Sequence, residues 1–404
     1  MLTAGRQARR GMIVRMIRKQ IAILALVAAV ACGAGFGSPG CSGKQKDQPR
    51  PPGSQPARNL KLVATTRRIP QVLGTFAQLI VVAPQDKQAE ADRLLGEVEK
   101  CLRDVEAKMS ARLADSELSR LNKAPVGELV TLSADTLEVL KRARDFATET
   151  QGAFDVTCRP ILQLWQAAGK RKSLPTQEEI QAAVADTGWR WFELTGQGAI
   201  RKRAGASIDL GGIGKKYAID QAAGILAGAA QQGGDSLVAG WFINVGGDIR
   251  CAGRRAEEGP WHVAIRNPFS SSIDDRMAVI KLTEGSVCTS GNYERFTEID
   301  GRRFSHIVDP RTGWPCDAAP SVTVVGRDAL TAGLWATALS VLGRDGARLM
   351  PPGLVEVMIV EGAGPQDADW YRTPGFDVMF VDRPDKPPAQ WVRHSTTAAT
   401  RSGG

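Results

Sequence analysis

Histidine is scarce in this chain of 404 residues: there are three, His262, His306 and His394. So few imidazoles leave few candidates for proton transfer near neutral pH. The seven cysteines contain no C-x-x-C pair, which removes the usual zinc frameworks. Neither a G-x-S-x-G turn nor an H-E-x-x-H helix occurs, so nothing supports a serine hydrolase or a zinc peptidase. No internal repeat is present, and the leading apolar run, Ile21–Ala31, is too short to span a bilayer comfortably.

The net charge of +9 suggests a nucleic-acid partner only until it is located. Residues 1–20 carry Arg6, Arg9, Arg10, Arg15, Arg18 and Lys19 and no acid; residues 32–69 carry seven basic residues against Asp47. These two stretches hold more positive charge than the whole chain shows, so the remainder is mildly acidic. A basic footprint on the folded part is therefore lacking, and no nucleic-acid partner is expected.

The basic leader followed by Ile21–Ala31 reads as an export signal over residues 1–31. Ala29-Val30-Ala31-Cys32 resembles a bacterial lipobox, which marks Cys32 for lipidation and places the protein on the periplasmic face of a membrane. A plain signal peptide cut near the same place is the other reading. Residues 32–69, rich in Gly, Pro, Ser and Gln at their start, form a tether; 70–383 form the domain, and 384–404 a C-terminal tail. Six cysteines remain beyond Cys32; one or two disulfides fit an oxidising compartment, and unpaired buried thiols suit most of them.

Apolar periodicity predicts helices over Lys87–Lys108, Ser133–Thr150, Thr176–Thr187, Ala218–Ala230 and Ala329–Leu342. Ser133 is a candidate N-cap, and Thr176 with Glu179 a capping box. Strands are expected at Ala77–Val82, Trp241–Val245, Trp261–Arg266, Met277–Leu282, His306–Val308, Val322–Val325, Val355–Val360 and Asp377–Val381. Helices and single strands do not alternate regularly, so the fold class is α+β.

Two glycine-rich turns stand out. Asp209-Leu210-Gly211-Gly212-Ile213-Gly214-Lys215-Lys216-Tyr217 runs into a helix, where backbone can approach a phosphate; a tight packing turn would look the same. Asn244-Val245-Gly246-Gly247-Asp248 is the second. His306 lies in a polar strand-to-turn passage with Asp309 three residues on, an arrangement suited to proton transfer or to a hydrogen-bonded structural role.

Taken in order, seven segments resemble the ApbE family of flavin transferases across roughly residues 70–365. They are Leu73-Gly74-Thr75; Asp115–Asn122; Gly152–Thr157 with Pro160 and Leu164-Trp165; Asp209–Ile213; Asn244–Asp248; Thr289–Glu294; and His306–Gly313. The resemblance implies a mixed fold of two closely associated lobes and a reaction in which FMN passes from FAD to a threonine hydroxyl of an acceptor flavoprotein, AMP leaves, and Mg²⁺ assists. It assigns His306 as general base and Leu73, Ala153, Phe154, Asp155, Gly211, Tyr217 and Ile307 to the FAD site. Phe154 also has a plain core reading. Lys215 stands where it could meet the pyrophosphate, with a solvated lysine as the alternative.

The chain departs from the family at the metal. Gly214 and Ala336 carbonyls and Thr337 remain from the implied ligand set, but Gly333 stands in Ala332–Thr337 where the family has an aspartate. Lys216 replaces a glycine, and Arg112 an aromatic residue that packs on the flavin. Asp309 is a candidate substitute acid. Two readings follow: an active FAD:protein FMN transferase, or a catalytically impaired FAD- or partner-binding lipoprotein of the same fold.

Overall fold

The computed structural model describes residues 61–382 apart from 232–236, 257–258, 271, 273, 293–295, 317–318 and 363. Cys32, the leader, the tether up to residue 60, His394 and the tail lie outside the described residues. Strands β1 (Leu62–Val72) and β2 (Thr75–Pro84) form a hairpin, followed by helix α1 (Gln88–Met109). Next come α2 (Glu117–Lys123), β3 (Leu129–Thr131), α3 (Ala134–Glu149), α4 (Arg159–Arg171), α5 (Gln177–Ala185), β4 (Phe192–Leu194) and β5 (Gly198–Arg201). Helix α6 (Gly214–Gln231) leads to β6 (Gly240–Val245), β7 (Asp248–Gly253), β8 (Trp261–Arg266), β9 (Arg276–Leu282) and β10 (Glu284–Gly291). The rest is β11 (Phe296–Ile299), β12 (Arg302–Ser305), β13 (Ser321–Gly326), α7 (Ala329–Leu342), β14 (Val355–Glu361), β15 (Asp369–Arg372), α8 (Pro374–Asp377) and β16 (Phe380–Asp382).

One eight-stranded sheet, ordered β1-β2-β6-β7-β10-β13-β14-β15, organises the molecule. Every neighbouring pair in it is antiparallel. Side chains alternate across such a sheet, and the sequence uses both faces. Leu79, Val81, Ile243, Val245, Val324 and Val357 join the core built with α1, α6 and α7. Val82, Ile249, Val325, Met358 and Val360 face the other way, onto β8 and β9 through Trp261, Val263 and Ile280. A third cluster of Ile161, Trp165, Ile299, Phe304 and Val308 holds α4 against β11 and β12. The α+β class read from the sequence is the observed one. Among the described residues no helix is long and apolar enough to cross a membrane.

Local signals explain the helices. Leu94, Leu95, Val98, Leu102 and Val105 of α1 are buried at helical spacing, whereas Cys101 is only half-buried. Ser133 caps α3 through the Thr136 amide, and the capping box of Thr176 and Glu179 starts α5. Among the described residues the five cysteines form no disulfide, and Cys251 and Cys288 are buried.

Three expectations need correction. Strand β1 begins at Leu62, so residues 62–69 belong to the sheet rather than to the tether; Arg68 is exposed on this edge strand, while Arg67 turns to α1 and pairs with Asp92 and Glu99. His306–Val308 is not a strand: β12 ends at Ser305, and only Val308 bridges, to Pro315. The Asp309 amide bonds Trp314 O and the Gly313 amide bonds Asp309 O, which folds the chain into a turn instead. Asp377–Val381 divides into the end of α8, started by Pro374, and strand β16.

Asp220 fixes how α6 and α7 meet. Its Oδ1 and Oδ2 accept from the amides of Ala329 (2.9 Å) and Leu330 (2.8 Å), two of the unpaired donors that open α7. The Arg250 guanidinium pairs with the same carboxylate, and Asp328 caps Thr331 at 2.7 Å. Removing that carboxylate leaves two amides and a cation without their partner. Asp220→Ala is expected to destabilise the fold by about 2–4 kcal/mol in urea unfolding; a loss below about 0.5 kcal/mol would show that α7 is held by packing alone.

Candidate active site

The segments singled out by motif form a chain of contacts around the start of α6. Leu210 closes the turn with its carbonyl, accepting from the Ile213 (3.0 Å) and Gly214 (2.7 Å) amides, so the helix begins at Gly214, four residues earlier than periodicity predicts. Asp209 Oδ1 accepts from the Gly211 amide at 2.7 Å. Asn122, reaching from α2, holds the approach to this turn with paired bonds to Ile208, 2.8 Å to its carbonyl and 2.7 Å from its amide.

The second glycine turn docks on the first through charge. Lys215 Nζ lies 2.8 Å from Asp248 Oδ2 at the start of β7, and Lys216 Nζ lies 3.7 Å from the same oxygen. Asp248 is 2% exposed and Lys216 7%. Charges this deep persist because they are paired. Burial pushes the Asp248 carboxyl up, but the ammonium groups of Lys215 and Lys216 outweigh it and hold it below the usual carboxylate range. Burial pushes the Lys216 ammonium below the usual lysine range, with Asp248 opposing and Lys215 adding to the fall.

Three further contacts extend the chain. Phe154 is buried and lies against Gly212, where a Cβ would stand 3.3 Å from its ring; the ring also packs edge-on to Phe146 at 5.4 Å. Phe146 in turn meets Trp335 of α7 at 5.0 Å. Asp155 Oδ1 accepts from the Thr157 amide and hydroxyl, and burial pushes its carboxyl up against those bonds. The Val156 carbonyl accepts from the Asp209 amide at 2.8 Å. Gly246, at φ +57°, fits closely on Thr75, and the Arg112 guanidinium lies over Gly74 beside Leu73.

His306 is exposed, in the bend after β12. Its neighbour Ile307 is pinned, its amide donating to Ser305 Oγ (3.0 Å) and its carbonyl accepting from Cys316 (2.8 Å). Trp165 Nε1 donates to Gly313 O at 2.8 Å, and Gly313, at φ +78°, leaves room that Ile180 and Val184 would deny a side chain. Arg311 from this loop crosses Gly152, next to Ala153, which is buried. Asp309 is not a free acid: both its oxygens bond Arg311 at 2.8 Å. Tyr217 is also placed differently from an open lining residue. It is 3% exposed, and its hydroxyl donates to Asp135 (3.1 Å) and Glu138 (3.3 Å) on α3.

Two of the implied metal ligands, Ala336 and Thr337, lie on the side of α7 that carries Gly333. Lys216 runs across Gly333. The Ala336 carbonyl accepts from Ser340 Oγ at 2.9 Å, and Thr337 Oγ1 donates to Gly333 O at 3.0 Å. Among the described residues no three His, Cys, Asp or Glu side chains cluster to hold a metal. A divalent ion needs oxygen ligands carrying negative charge; here the near carboxylate, Asp248, is already neutralised by two lysines. The residues present therefore do not fit Mg²⁺, whereas the glycine turn with Lys215 fits a pyrophosphate. Sequence reasoning named Asn122 within Asp115–Asn122 without a role of its own and missed Asp220; an acid one turn after Lys216 on a largely apolar helix was the available signal. An open depression of about 550 Å³ beside Leu282, Glu284 and Met379 lies at the other end of β10 from Ser290 and holds none of these motifs.

A sequence profile of the ApbE family matches residues 73–359. The FAD:protein FMN transferase of Vibrio cholerae serotype O1 is 34% identical over 262 residues, covering 64% of this chain and 75% of that protein. The enzyme of that name from Haemophilus influenzae is 33% identical over 270 residues, with coverages of 64% and 75%. Among solved structures, the ApbE protein of Thermotoga maritima superposes with a TM-score of 0.67 at 30% identity, covering 78% of this chain and 99% of that one. The flavin transferase ApbE of Vibrio cholerae gives 0.65 at 27% identity, covering 79% and 99%.

The pairing at Asp248 has a pH signature. A carboxylate whose folded pKa lies below its unfolded value of about 3.9 contributes stability that is complete above about pH 4. That contribution is lost as pH falls through the folded pKa. Urea unfolding between about pH 6 and pH 3 should give a shallower acid limb for Asp248→Asn than for the wild type; parallel limbs would show that Asp248 is not held ionised by the two lysines.

Proposed function

This chain belongs to the ApbE family and is a transferase, and we propose that it moves FMN from FAD to a threonine hydroxyl of an acceptor flavoprotein, releasing AMP. The observation that carries the reading is the joining of the two glycine turns through Lys215 and Asp248 at the start of α6. A helix N-terminus and an ammonium group meet there, beside a turn whose Gly211, Ile213 and Gly214 amides bond Asp209 and Leu210, so the helix end and the lysine supply the attraction for a pyrophosphate.

In the proposed reaction the acceptor threonine Oγ attacks the phosphorus of the FMN half. The bond from that phosphorus to the bridging oxygen breaks, and AMP leaves with that oxygen. The hydroxyl proton passes to an imidazole nitrogen of His306, the exposed base on a loop that Trp165 and Gly313 keep rigid. Lys215 and the turn at Gly211 hold the pyrophosphate, and Phe154 and Ala153 form the apolar wall behind it. Leu73, Asp155 and Ile307 border the flavin; Arg112 offers a planar cation for the ring to stack on. Tyr217 supports this wall from within, through α3. Magnesium, which the resemblance implies, has no part in the step as written, because Lys216 fills the space beside Gly333. On the leader sequence we also propose export and lipid attachment at Cys32, placing the reaction on the periplasmic face of the membrane.

The test is the full chain in mild detergent with FAD and an acceptor protein bearing the target threonine, read by mass spectrometry for an added FMN. Transfer by the wild type, reduced about 10²–10⁴-fold in His306→Ala, is the expected result. Wild-type protein that binds FAD and transfers nothing would favour the second reading, a flavin-binding relative without activity.

A further inference from the structure

The methylene chain of Lys216 occupies the place of a side chain at residue 333. A Cβ built on Gly333 would lie 2.4 Å from Cγ, 2.5 Å from Cε and 2.9 Å from Cδ of Lys216. No side chain fits there while the lysine keeps this course, and Lys216, a residue of α6, is 7% exposed. Asp220, one turn along α6, bonds the first turn of α7, while Gly333 lies one turn further along that helix. The two helices are thus fixed with Lys216 opposite Gly333. These residues are one matched feature: a cation-bearing side chain on one helix and an empty position facing it.

The ammonium end is placed, not loose. Lys216 Nζ donates to Gly212 O at 3.0 Å, inside the glycine turn, and stands 3.7 Å from Asp248 Oδ2. Lys215 completes the set, so two ammonium groups share the one buried carboxylate and carry positive charge in excess of Asp248, with the Asp209 carboxylate on the Gly211 amide as the other acid of the turn. That charge sits in a buried, low-dielectric setting, where it acts more strongly on a neighbouring anion than it would in water. Loss of a carboxylate at 333 and gain of a lysine at 216 therefore work in one direction. The first removes a ligand from a divalent cation, and the second supplies a cation tethered to the chain.

We propose that the Lys216 ammonium stands in for a divalent metal at the pyrophosphate position, so that this protein binds FAD without metal. The inference rests on the flavin reading above for the identity of the anion, but the exclusion of the metal is tested separately. Manganese titrated into the full chain in mild detergent, followed by its electron paramagnetic resonance signal, should show no site-bound ion in the wild type. FAD binding, followed by flavin fluorescence, should have a Kd equal within a factor of about two in EDTA and in excess magnesium. The double substitution Lys216→Gly with Gly333→Asp removes the obstruction and restores the carboxylate. It should bind manganese and should tighten on FAD by about tenfold or more when magnesium replaces EDTA. A wild type that binds manganese competed off by magnesium, or whose FAD Kd tightens about tenfold with magnesium, overturns the proposal whether or not the double variant folds. Failure to bind FAD under either condition would instead remove the flavin reading and, with it, the role given to Lys216 at the pyrophosphate.

Discussion

A buried carboxylate between two lysines is the interaction on which the site depends. Asp248 opens β7, so it is fixed by the sheet; Lys215 and Lys216 open α6, so they are fixed by the helix. Their pairing joins the eight-stranded sheet to α6 at the point where both glycine turns lie. An unpaired charge of either sign at that depth would cost several kcal/mol. The cluster therefore holds its geometry strongly, and the turn between Gly211 and Lys215 inherits that rigidity.

The rest of the molecule supplies the directions. The eight-stranded sheet carries Asp248 and, on β10, Ser290, whose hydroxyl lies 3.4 Å from Thr337 Oγ1. Asp220 and Asp328 hold the start of α7, which brings Gly333 over Lys216. The aromatic series Phe154, Phe146 and Trp335 ties the wall of the site to the same helix. The His306 loop is fixed from a different quarter, by Trp165 of α4 and by the close fit of Gly313 on α5. In the proposed reaction, His306 on its rigid loop and the glycine turn on its rigid helix are the two parts that group transfer to an external hydroxyl requires.

Much of this was legible in the sequence, for reasons that can be named. The buried stripe of α1 and the capping box of α5 are local signals, and they gave elements within a residue or two of those observed. The glycine turns were visible because few residues other than glycine serve there. What was not legible depends on contacts between distant parts of the chain. Arg67 and Arg68 continue the basic character of the tether into β1, and only the fold shows Arg67 paired with Asp92 and Glu99 of α1. Asp309 beside His306 suggested a catalytic pair, yet Arg311, two residues on, takes both oxygens. Lys216 and Gly333 each looked like a defect in the family pattern. Only their packing shows that one fills the space left by the other.

The central claim is that the glycine turn at Gly211–Lys215 is where the FAD pyrophosphate lies. A crystal structure of the protein grown with FAD in the presence of a metal chelator tests it most directly. The account predicts phosphate oxygens within hydrogen-bond reach of Lys215 at the start of α6, with the FMN phosphorus open to the side of His306. A flavin bound elsewhere, for example in the depression beside Leu282 and Met379, with the turn filled only by water, would contradict it.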